Sequence, residues 1–138
     1  MDNKQVLKAY MSHMDEFYTD MLSVYPNDRT ILRGKLFFEA LRKTNPRRLI
    51  TAWKNQIYPR FGHIFPTLNL DNIELLLNHD FSDDAKYADA NGCSSNDGEE
   101  FITKIKEIIV RVKDDNPDNL EKAIKYLDNL TKLSKLYN

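Results

Sequence analysis

The side chains best suited to chemistry are few: three histidines, one cysteine and a set of arginines in a largely apolar-periodic chain. His63 and His79 flank an apolar stretch and Cys93 lies further on, but the paired spacing and fourth ligand of a zinc site are missing. His13 falls between Tyr10 and Met14 at the edge of an apolar stripe, so it reads as a satisfied edge histidine. Cys93 has no histidine or arginine nearby in sequence to activate its thiol, which leaves a nucleophilic role unsupported. Asp89, Asn91 and Gly92 resemble part of a calcium loop. That register, however, puts Tyr87 at the first ligand position and Gly98 where a bidentate glutamate belongs. There is no strand leading into a glycine-rich phosphate loop, no Ser-His-Asp or Cys-His context, and no carboxylate pair set in apolar surroundings. The chain therefore reads as a non-enzyme, with no catalytic, cofactor-binding or metal-binding residue assigned and no cofactor expected.

The arginines carry a sharper signal. Arg47 and Arg48 fall in the first turn of a predicted helix, where the macrodipole mildly disfavours cations. A phosphate or carboxylate held by first-turn N–H groups and two guanidinium forks would account for them. So would pairing with acids of the same chain, or plain solvation. With Lys54, Arg42, Lys43 and Arg60 they form a candidate anion or nucleic-acid contact. These six belong to a segment, 29–60, with nine basic residues against Glu39 alone, a surplus of +8. Residues 71–100 mirror it, with nine acids against Lys86 alone, −8, although the whole chain is only −1. Either the two segments face each other, or the surface is polarised for separate partners.

Periodicity supplies the elements that must position these groups. Val6, Leu7, Tyr10, Met14, Phe17, Tyr18, Met21 and Leu22 predict one amphipathic helix over about 3–25, ended by Pro26. Asn27 and Asp28 cap a second over about 28–44, whose apolar positions are Ile31, Leu32, Leu36, Phe37, Phe38 and Leu41; Gly34 suits a close crossing. Asn45, as a side-chain cap, and Pro46 start a third, in which Leu49, Ile50, Trp53 and Ile57 form a stripe that Pro59 limits to about 46–58. Residues 59–69 read as an ordered turn packed on the core through Phe61, Ile64, Phe65 and Leu68. A short helix over about 70–79 follows, buried on more than one side. Residues 80–98 read as a long acidic loop, mobile at least around 91–98. Asp97 with Glu100 predicts a capping box opening a helix over about 98–113, and Asn116-Pro117 opens the last, paired with it as a hairpin. The expected fold is all-α: one domain over 1–138, a bundle of five to six helices around Trp53, with the acidic loop between the fourth and fifth.

Asn45-Pro46-Arg47-Arg48-Leu49-Ile50 with Trp53-Lys54, then Asn78-His79-Asp80-Phe81-Ser82-Asp83, and finally the stretch from Lys125 to Tyr137 resemble short helical proteins of mimivirus-type nucleocytoplasmic large DNA viruses. The resemblance spans most of the chain after residue 27 and brings neither an activity nor functional residues. It implies a protein made in infected-cell cytoplasm, free there or packaged in the virion. One cysteine allows no internal disulfide, and the start of the chain lacks a signal-peptide core. No apolar run approaches the roughly 20 residues that span a bilayer. A cytoplasmic, non-membrane protein is expected. The leading expectation is a helical protein-interaction or structural module. The alternatives are a nucleic-acid or polyanion binder using 29–60, and a scaffold that self-associates through oppositely charged faces.

Overall fold

Helix α1 (Asn3–Val24) opens on a reciprocal cap absent from the sequence reading: the Asp2 carboxylate accepts the Gln5 N–H at 2.9 Å, and Gln5 Oε1 accepts the Asp2 N–H at 3.0 Å. It ends before Pro26, with the Tyr25 N–H on the Met21 carbonyl. The computed structural model describes residues 2–79 and 95–138, and of 95–99 the backbone alone. Asp28 caps α2 (Arg29–Thr44), its carboxylate accepting the Ile31 N–H at 3.2 Å and Arg111 Nε at 2.6 Å. Desolvation alone would raise the Asp28 pKa, but these two donors and the guanidinium charge hold it below the usual carboxylate value.

Asn45 and Pro46 begin α3 (Pro46–Ala52), but the expected side-chain cap is not made. The Asn45 carbonyl instead receives the Arg48 N–H at 3.2 Å. Nor does the segment stop at Pro59. It runs through a π-helical turn (Trp53–Ile57) into α4 (Tyr58–Phe61). A proline usually ends a helix because its ring meets the carbonyl four residues back and its nitrogen cannot donate. Here the Tyr58 N–H reaches five residues back to the Trp53 carbonyl. The widened turn displaces that row of carbonyls and lets the chain pass Pro59.

The 59–69 stretch packs as expected, with Phe61, Phe65 and Leu68 buried and Ile64 partly so, around a 3-10 turn (Phe65–Thr67). The next helix, α5 (Glu74–Leu77), is much shorter than 70–79. Asn72 Oδ1 accepts the Asn69 N–H at 2.7 Å and Asn69 Oδ1 accepts the Asp71 N–H at 2.9 Å, so asparagine side chains compete with the helical ladder. Burial there is also one-sided: Ile73 and Leu76 point inward, while Leu75 is 59% exposed.

Helix α6 (Ser95–Asp115) begins earlier than expected, which puts Asp97 inside its first turn rather than at a cap. Residues 95–98 of the expected acidic loop are thus helical; the rest of that loop lies outside the described residues. Phe101, Ile102, Ile105, Ile108, Ile109 and Val112 are all buried, as their spacing predicts. The last helix, α7 (Pro117–Leu136), starts on an Asn116 side chain that accepts the Asp118 N–H at 2.9 Å.

The protein is all-α, and among the described residues no strand occurs. Contacts give the directions of the long helices. Arg42 meets Asp15 and Phe38 stacks on Tyr18, so α1 and α2 are antiparallel. Asp28 meets Arg111 and Gly34 meets Ile108, pairing α2 with α6 in the opposite sense. Asn3 meets Asn138 and Asp20 meets Tyr126, which makes α7 antiparallel to α1. Trp53 sits at the junction, fully buried, with its Nε1 on Thr131 Oγ1 at 2.9 Å and its ring against Tyr10 and Phe101.

Gln56, in the π-turn, is also fully buried, yet neither amide atom has a partner among the described residues. An unpaired buried amide costs about 1–3 kcal/mol. Gln56→Met, close in volume and without the amide, is expected to stabilise the fold by about 1–2 kcal/mol in urea unfolding.

Candidate interaction surface

The six predicted contact residues do not converge. Arg42 is held by the Asp15 carboxylate at 2.6 Å and lies 5.9 Å from the Phe38 ring centre. Lys54 donates to the Tyr137 carbonyl at the end of α7. These two thus answer to different helices of the same chain. Arg48 and Arg60 are also partnered, whereas Lys43 and Arg47 are exposed. The first turn of α3 offers few free donors, since Pro46 has none and the Arg48 N–H is taken by Asn45.

What the structure does bring together is the outer face of α2. Its inward stripe is Ile31, Gly34, Phe38 and Leu41. Leu32 and Leu36, expected in the core, are instead 39% and 67% exposed. They share the outer face with Arg29 near its start, Arg33, Ala40 and Lys43, all exposed. The sequence held the signal: a helix whose apolar positions include both Leu32 and Leu36 has more than one stripe can bury, and a glycine at the crossing point marks which stripe faces inward. Every exposed charged residue of α2 is basic, Glu39 being half-buried. The result is two projecting leucines within a basic rim.

A second surface, between α1 and α7, holds a cavity of about 360 Å³. His13 lines it, half-buried, with Nδ1 3.5 Å from the Glu16 carboxylate and its ring 4.9 Å from Tyr126. The edge position agrees with the sequence reading, but Nε2 is buried with no partner among the described residues. Of the other histidines, His79 packs edge-on against Phe61, while His63 lines a different cavity. Cys93 lies outside the described residues.

Four tyrosines along these helices are held protonated. Burial pushes Tyr126 up to about 12, aided by the hydrogen bond it donates to Asp20. Burial also raises Tyr10 and Tyr18, whose hydroxyls find no partner among the described residues. Tyr25 is raised by desolvation and by the bond it donates to Asp115 at 2.8 Å. The unfolded chain ionises its phenols near pH 10. It therefore loses protons first on alkalinisation, and stability that is complete below about pH 10 declines above it. Phenolate absorbance should rise only partly at pH values just above 10 and reach its full amplitude on unfolding. Full amplitude while the circular dichroism is still native would contradict this.

Fold and surface thus define an all-α bundle with one polarised helix face. The chain matches no family model, no curated protein and no solved structure. Among the described residues no helix is long and apolar enough to cross a membrane.

Proposed function

We propose that the protein is a non-catalytic helical interaction module, acting in the cytoplasm, which docks an acidic amphipathic segment of a partner protein on the outer face of α2. The observation that carries this is the exposure of Leu36, 67%, with Leu32 one turn before it, inside a rim of Arg29, Arg33 and Lys43. Covering a leucine yields up to about 1.5–3 kcal/mol, and basic side chains around it favour acidic partners and speed encounter. A protein partner is favoured over nucleic acid because the centre of the face is apolar, and because Arg42 and Lys54 are already engaged within the chain. The resemblance to large-DNA-virus proteins supports a partner made in the same infected cell.

The test is titration with a synthetic helix that has leucines on one face and glutamates beside them, followed by amide shifts. Shifts confined to residues 29–43, absent with a scrambled peptide and weakened at least about tenfold by Leu36→Asp, are expected. No shift on α2 would overturn the proposal. So would duplex DNA or anionic vesicles engaging these amides more tightly than the peptide.

A further inference from the structure

The irregular segment around Pro59 forms one wall of a cavity of about 350 Å³, and α7 forms the other. Gly62 makes the first wall possible. A Cβ there would lie 2.8 Å from both the Tyr58 carbonyl oxygen and its ring, so only glycine lets the chain fold back onto that ring. Tyr58 and Pro59 supply a flat surface, and His63 stands at the rim.

On the α7 side the lining residues are Thr131, Lys132 and Lys135. The two lysines are three apart on one helix face, where like charges repel. Lys132 pairs at 3.1 Å with Asp128, whose side chain is 15% exposed and does not line the cavity, and the exposed ammonium has further N–H donors to offer. Lys135 makes no ion pair among the described residues. No acid lines the cavity at all among the described residues. Two ammonium groups beside a flat surface, in a volume within the range of ligand pockets, suit an anion joined to a ring.

We propose that this cavity binds a phosphomonoester of about nucleotide size, with its phosphate between Lys132 and Lys135 and its ring against Tyr58 and Pro59. The proposal rests on this cavity alone and stands apart from the α2 face.

The floor of the cavity supplies a reporter. Thr131 Oγ1 accepts the indole N–H of Trp53, the only tryptophan, so a ligand reaching Thr131 perturbs its fluorescence. The experiment titrates the full chain with adenosine monophosphate, adenosine and inorganic phosphate, reading Trp53 emission and the amide shifts of Tyr58, Gly62, Thr131 and Lys135. The monophosphate is expected to bind at least about tenfold more tightly than adenosine, and Lys132→Gln with Lys135→Gln to weaken it by roughly tenfold or more. Should the double variant unfold, Lys135→Gln alone is read in the same way. Inorganic phosphate shifting Lys135 without Tyr58 would support the phosphate position. Equal binding of adenosine, undiminished binding by the lysine variants, or no response to any of the three probes would overturn the assignment.

Discussion

Trp53→Ala is expected to lower the unfolding free energy by about 3–5 kcal/mol, a large part of the stability of a domain this size. The indole is fully buried where α1, α6 and α7 meet the π-turn, and its removal leaves Tyr10 and Phe101 facing a void. It also strands the Thr131 hydroxyl, which would still donate to the Leu127 carbonyl at 2.7 Å but would lose its indole donor. Urea unfolding followed by circular dichroism measures the loss. Trp53→Phe separates the two contributions: it restores much of the volume but not the hydrogen bond, which is worth about 1 kcal/mol. A Trp53→Ala protein within about 1 kcal/mol of wild type would mean that the indole is not the centre of the core.

The second large effect is expected at Gly34, where α2 crosses α6. A Cβ at this position would sit 3.1 Å from Ile108 Cδ1 and 3.4 Å from the Tyr18 ring and hydroxyl. Alanine is tolerable because Cδ1 is the far end of a flexible side chain, and the gain in helix propensity, up to about 1 kcal/mol, offsets the crowding. Gly34→Ala should therefore change stability by less than about 1 kcal/mol. Leucine has no such room. Gly34→Leu should cost about 1–3 kcal/mol or more by forcing the helices apart, and Ile108→Ala in the same chain should recover part of it. A Gly34→Leu protein as stable as wild type, or no coupling to Ile108, would contradict the close crossing.

Much of this architecture was legible in advance. The stripe through Leu49, Ile50, Trp53 and Ile57, the all-buried face of α6, and the Asn116-Pro117 start of α7 follow from spacing and cap chemistry that act locally. The misreadings have local causes too. Pro59 reads as a stop unless the preceding turn is known to widen, which depends on how that turn packs. Leu32 and Leu36 read as core because composition does not say which of two apolar stripes meets a neighbour. The short α5 reflects asparagine side chains outcompeting the backbone ladder. The candidate site was the least legible, because charge surplus along a sequence does not say which cations are already spoken for. Arg42 and Lys54 find their partners 27 and 83 residues away.

The widened turn between Trp53 and Ile57 has a bearing on length as well as shape. It accommodates one residue more than an ordinary helical turn, and each helical residue advances the azimuth by about 100°. Shortening this stretch by a single codon would leave its composition almost intact yet swing Phe61 off the core, while bringing Pro59 into collision with the carbonyl behind it. Across related chains, residue number between Trp53 and Phe61 should then be guarded more strictly than residue type at its solvent-facing positions.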